Sequence, residues 1–163
     1  MKLARLSLGA TLAFGAVVAV LIVALSLVHP WGNLRAGSPN ATILSGANAP
    51  DEIRNALARK CGDCHSNNTR WPLYSRIPPT SWLVEHDVHE GREHMNLSSW
   101  DEYSIDSRID LLGKMGTQLR QSKMPLKQYL LLHPETRLSD DERKQIIDWT
   151  KLERRRLVTE SAK

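Results

Sequence analysis

The sequence predicts an all-α domain carried behind one N-terminal membrane helix. Three observations predict it. Apolar side chains recur at helical spacing in several segments, each bounded by capping residues, prolines or polar runs. No segment shows the apolar-polar alternation of a strand. The first 30 residues hold a long apolar run without a single charge.

That run, Leu6 to Val28, is 23 residues long. A helix needs about 20 apolar residues to cross a bilayer core, whereas a secretory apolar region is usually roughly 7–15. The length therefore favours an anchor over a cleaved signal, which is the alternative reading. Lys2 and Arg5 precede the run and Trp31 follows it. The positive-inside bias puts the N-terminus in the cytoplasm and Trp31 at the far interface. Either reading exports the rest of the chain. A buried core helix would leave the flanking charges without a reason. Residues 1–30 are thus read as an anchor or uncleaved signal, and 31–49, rich in Gly, Asn, Ser and Ala, as a linker. Residues 50–157 form the domain and 158–163 a tail.

Within the domain each helix has its own signals. Pro50, Asp51 and Glu52 suit a first turn, with Ile53, Ala56 and Leu57 following at helical spacing up to the cysteines. Residues 67–79 hold Pro72, Pro78 and Pro79 and are expected to wrap as a loop. Thr80 or Ser81 is expected to cap a helix to about Glu93, with Trp82, Leu83 and Val88 apolar. Ser98 or Ser99 is expected to cap a short turn. Asp106 opens a longer helix to about Gln121 bearing Ile109, Leu112, Met115 and Leu119. Residues 127–132 form a short turn before His133-Pro134. Ser139-x-x-Glu142 is a capping box that starts a last helix with Ile146, Ile147, Trp149 and Leu152.

The net charge of +4 is mostly local. Lys2, Arg5 and Arg35 flank the apolar run; removing these three from 22 basic side chains leaves 19 against 18 acidic ones, a net of +1. That is no nucleic-acid footprint, and nucleic-acid partners are set aside.

The two cysteines carry the chemistry. Cys61-Gly62-Asp63-Cys64-His65 is C-x-x-C-H, the spacing of c-type haem attachment. Two thiols three residues apart reach the two vinyl groups on one porphyrin edge, and the next imidazole meets the iron. Three rivals are weighed: a thioredoxin-like redox pair, which belongs in a βαβ setting; a zinc site with His86 and His89; and a plain disulfide. For the sixth iron position Met124 leads, because Pro125 ends the helix and presents the thioether from a loop. Met95, His86, His89, His94 and His133 are its rivals, and Met115 reads as core filler.

The run from Cys61 to Trp100, CGDCHSNNTRWPLYSRIPPTSWLVEHDVHEGREHMNLSSW, resembles the bacterial haem-binding domain family related to cytochrome c. Similarity continues through MPLKQYLLLHP and LSDDERKQIIDW, so it covers residues 50–152. The resemblance implies a cytochrome c-like all-α fold, one covalent haem c and an N-terminal membrane segment. Its cysteines fall on Cys61 and Cys64, its proximal histidine on His65, and its Met-Pro on Met124 and Pro125. Around the haem, Trp71, Tyr74 and Trp82 are expected to pack on the macrocycle and offer donors to its propionates, with Arg70, Arg76 and Arg92 pairing their charge. Core aromatics and surface arginines are the plain alternative. Arg154, Arg155 and Arg156 read as a solvated helix end.

Two functions follow. The first is a monohaem c-type cytochrome, not itself an enzyme, that moves single electrons at the outer face of the inner membrane between partners the sequence does not name. The alternative is an open-iron haem protein, a small-ligand sensor or peroxidase-like subunit, with His86, His89 or His94 as a distal acid-base group.

Overall fold

A computed structural model describes residues 8–32, 34–36 and 42–162. Lys2 and Arg5, expected to orient the anchor, lie outside the described residues, as do Asn33 and residues 37–41 of the expected linker. The described chain is helical, with no strand among the described residues.

Helix α1 runs Leu8–Ser26. Its 19 residues span about 28 Å at 1.5 Å per residue, close to the thickness of a hydrocarbon core. The window Gly9–Ser26 has a mean hydropathy of 2.3 and buries none of its residues in the protein. It is therefore long and apolar enough to cross a membrane.

The domain behind it comprises α2 (Asp51–Lys60), α3 (Gly62–His65), α4 (Thr80–His94), α5 (Ile105–Arg120), α6 (Lys127–Leu132) and α7 (Asp140–Ser161). Short 3₁₀ turns lie at Leu34–Ala36, Leu73–Arg76, Leu97–Glu102 and Pro134–Thr136. Its core is built where α5 and α7 lie against each other. Leu112, Leu119, Ile146 and Leu157 are fully or nearly fully buried there, and Leu57 of α2, Leu97 and Trp100 belong to the same buried cluster. The helices approach closely because Gly116 leaves room for Thr150: a Cβ on Gly116 would lie 2.9 Å from the Thr150 hydroxyl. The Ser139–Glu142 capping box that begins α7 is fully formed.

Several boundaries differ from expectation. The linker does not extend to residue 49. Leu44 is wholly buried in the core and its N–H donates to the Leu97 carbonyl, while the Arg54 guanidinium holds the carbonyls of Ile43, Leu44 and Ala47. Trp149 and Glu153 of α7 bind the Asn48 backbone, so this stretch is bonded into the domain from two sides. Pro50 is the N-cap of α2, not its first residue. Neither Thr80 nor Ser81 caps α4; Pro79 occupies that position without a side-chain bond. Asn96 caps the turn expected from Ser98 or Ser99, and Ser104 caps α5, which begins at Ile105. Residues 127–132 are a helical segment, not a turn. Leu83 and Leu152, expected inward, are 55% and 62% exposed, whereas Val88 and Trp149 on the same helices are buried as expected. Helix α7 continues to Ser161 through most of the expected tail.

Candidate functional site

The C-x-x-C-H motif sits at a break between two helices. Cys61 is the C-cap of α2 and the N-cap of α3 at once. Its N–H completes α2 by donating to Leu57, and its carbonyl accepts from the N–H groups of Cys64 and His65. The one-turn α3 thus presents Cys61, Cys64 and His65 from a single short arc.

Helix α4 fixes that arc from behind. Gly91 packs so tightly on Cys64 that a Cβ would lie 2.6 Å from its carbonyl oxygen. The next residue, Arg92, donates to the Ser66 carbonyl at 3.0 Å, to the Thr69 hydroxyl at 2.9 Å and to the Leu34 carbonyl at 3.0 Å. Ser66 and Thr69 also bond back to the carbonyls of Gly62 and Asp63, each at 2.7 Å. The loop leaving the motif is therefore held at every turn.

His65 has the geometry of a metal ligand. Its Nδ1–H donates to the Met95 carbonyl at 3.0 Å. Since a carbonyl can only accept, the proton of the neutral ring lies on Nδ1 and the lone pair on Nε2. Burial holds the imidazole below its ordinary pKa, against the opposing pull of the Met95 and Gly91 carbonyls, and keeps it neutral. A second bond of this kind is what orients a ligating histidine.

The thiols are free, not bridged. Burial, reinforced by the neighbouring Cys64, pushes the Cys61 thiol up to about 12. Burial and the charges of Asp87 and Asp63 do the same to Cys64. Both stay protonated at neutral pH, whereas a thioredoxin-like pair needs a lowered pKa and a nucleophilic thiolate. Among the described residues no group of three or more His, Cys, Asp or Glu could hold a metal ion, which removes the zinc site with His86 and His89. Two protonated thiols and one neutral imidazole on a single arc fit haem attachment. That chemistry would add each S–H across a vinyl group and leave the His65 Nε2 free for iron.

A cleft opens beside Cys64. It encloses about 40 Å³ and is lined by Val84, Asp87 and Val88 of α4, by Pro72 and Tyr74, by Tyr129 and His133, and by Asp63 and Arg70. Asp63 accepts from the Arg70 backbone N–H at 3.0 Å, from its guanidinium at 2.9 and 3.1 Å, and from the Tyr129 hydroxyl at 2.7 Å. Burial alone would raise the Asp63 carboxyl, but these donors outweigh it and hold it below its usual range. Tyr129 stacks on His133 at 4.4 Å between ring centroids, and the His133 Nε2 is bonded to the Tyr74 hydroxyl.

Of the expected haem neighbours, Tyr74 faces this cleft. Trp71 instead lies under the Arg35 guanidinium, 4.2 Å from the ring centroid. Trp82 is turned to the foot of α1, its indole N–H donating to the Val28 carbonyl at 2.9 Å. Arg92 spends its donors on the loop, and Arg70 spends its own on Asp63. Met124 is half-buried in the irregular stretch between α5 and α6, while Met115 is core filler as expected. Met95 contributes its carbonyl to His65, and its side chain packs against the core. His86 stands edge-on to Trp31 beside Asp87, and His94 is exposed beside Glu90. His133 is the histidine that shares the cleft with Cys64. Sequence reasoning missed Asp63, Tyr129 and Gly91. A carboxylate inside the motif was the one local signal, and its tyrosine partner is 66 residues away.

Comparison with known proteins supports haem binding. The chain matches the family described as "Haem-binding domain" over residues 20–152. It is also similar to the cytochrome c peroxidase Ccp of Escherichia coli (strain K12), 29% identical over 93 residues, which is 55% of this chain. The match covers 20% of that relative's length. No solved structure matches.

Proposed function

The chain belongs to the haem-binding domain family, and from that premise we propose that it is a monohaem c-type cytochrome. In this reading it transfers single electrons at the outer face of a bacterial inner membrane. Bound haem supplies one-electron iron chemistry. The protein supplies the rest. Cys61 and Cys64 would hold the porphyrin covalently, and His65 would bind the iron through Nε2. The thioether of Met124 would be the second protein ligand to the iron, which would favour the reduced state and raise the potential. Helix α1 holds the domain at the membrane surface, with the positive N-terminal flank inside.

The observation that carries the reading is the His65 Nδ1–H bond to Met95 beside two free, protonated thiols. The test is an optical spectrum of the protein expressed with cytochrome c maturation machinery, together with a haem stain after denaturation. Haem that survives denaturation, with sharp reduced α and β bands, is the expected result. Haem lost on denaturation refutes covalent attachment.

The similarity to a cytochrome c peroxidase favours one second reading, an open-iron peroxidase-like subunit or small-ligand sensor. His133, not His86, His89 or His94, is then the acid-base group, because it lines the cleft beside Cys64. Rapid, complete carbon monoxide binding by the reduced protein at neutral pH would select this reading over the electron carrier.

A further inference from the structure

The segment that carries Met124 has little to hold it. Helix α6, which follows at once, buries none of its residues, and Leu131 and Leu132 are 82% and 64% exposed. Apolar packing therefore contributes little to its placement. A thioether is a neutral and weak ligand, so its occupancy of an iron site depends on how far the protein pre-orders it.

One polar link joins this segment to the attachment motif. The Tyr129 hydroxyl, five residues after Met124, donates to Asp63 Oδ2 at 2.7 Å, and Asp63 lies between the two cysteines in the motif. The link is braced on both sides. Arg70 fills the remaining lone pairs of Asp63, so the carboxylate cannot swing away without losing its backbone and guanidinium donors. Tyr129 stacks on His133 with 19° between the rings, and His133 is tied to Tyr74 in the loop after the motif. The attachment motif, the loop that follows it and the Met124 segment thus converge on one carboxylate.

We propose that Asp63 and Tyr129 are positioning residues for the sixth ligand: the bond between them holds the Met124 segment over the attachment motif. This rests on the reading of Met124 as that ligand. Neither residue touches iron. Their effect is to raise the fraction of protein in which the thioether is in place.

The test uses the full-length haem-loaded ferric protein in detergent, with imidazole as a competitor for the sixth position. Tyr129→Phe removes one oxygen and keeps the ring on His133. A hydrogen bond to a charged group is worth enough that its loss tightens the apparent imidazole dissociation constant about tenfold. Asp63→Asn shifts it in the same direction, and the double variant shifts it no further than the larger single one. In a Met124→Ala background, Tyr129→Phe leaves imidazole affinity unchanged, which a general structural weakening would not do. If Met124→Ala tightens imidazole binding while Tyr129→Phe and Asp63→Asn match the parent, the latch is overturned and Met124 ligation stands. If Met124→Ala changes neither imidazole affinity nor the spectrum, the ligand assignment falls and the latch falls with it.

Discussion

Replacing Gly91 with alanine tests how tightly α4 is fitted to the attachment motif. The added Cβ would lie 2.6 Å from the Cys64 carbonyl oxygen and 3.0 Å from both its carbonyl carbon and its Cβ. Ordinary contact begins near 3.4 Å, so the two segments must part by about 0.8 Å. Neither can do so cheaply. The clashing atoms are mostly backbone, in a one-turn helix closed by the Cys64 and His65 bonds to Cys61. On the other side, Arg92 is pinned by three acceptors one residue along. Overpacking of this kind costs about 1–3 kcal/mol, against a gain of about 1 kcal/mol from alanine's better helix propensity. Gly113 in α5 is the matched control, because its Cβ would meet only the flexible Arg154 side chain at 3.4 Å. Gly113→Ala is expected to be neutral or slightly stabilising, so the two variants should differ by about 1–3 kcal/mol. The assay is guanidinium unfolding of the haem-loaded chain in detergent, followed by far-UV ellipticity. Covalent haem yield should also fall in Gly91→Ala, since Cys64 is displaced. A Gly91→Ala protein as stable as Gly113→Ala, with full haem yield, refutes the close-fit reasoning.

Three further outcomes are expected. Ser122 ends α5 at a positive φ of 51°, with Lys123 N–H bonded to the Gln118 carbonyl and Ser122 N–H to that of Leu119, a Schellman ending. Ser122→Gly should raise stability by about 0.5 kcal/mol, read from the denaturation midpoint at unchanged slope. Leu112 is wholly buried and Leu131 is 82% exposed, so Leu112→Ala should cost about 2–5 kcal/mol in the same assay and Leu131→Ala less than about 0.5 kcal/mol. Asp63 has a folded pKa below its ordinary 3.8, so its contribution to stability is full above that pH and drains away as pH falls through 3.8 toward the lower folded value. The stability difference between the parent and Asp63→Asn should therefore narrow as the pH is lowered below 4; a difference independent of pH would contradict the ionised Asp63 network.

The helical plan was legible because it is written in local physics. The Ser139–Glu142 capping box and the spacing of Leu112, Met115 and Leu119 involve residues a few positions apart, and the structure shows them as the sequence implies. Errors gathered where neighbours compete for the same role. Asn96 and Ser104 take caps expected of adjacent residues, because local polar side chains differ little in capping strength. Leu44 looked like linker because its surroundings are polar, yet it fills the core beside Leu97.

The same division governs the site. The sequence by itself determined that Cys61, Cys64 and His65 stand on one short arc, since their spacing along the chain fixes it. It also determined the apolar length of α1. Tertiary structure alone decided what each donor faces. It placed the Met95 carbonyl on His65 Nδ1 and sent Trp82 to Val28 and Arg92 to the loop rather than the cleft. It also joined Tyr129 to Asp63 across 66 residues. Contacts at that separation leave no trace in local periodicity, because a side chain's partner is set by how the helices pack and not by its own neighbours in the chain.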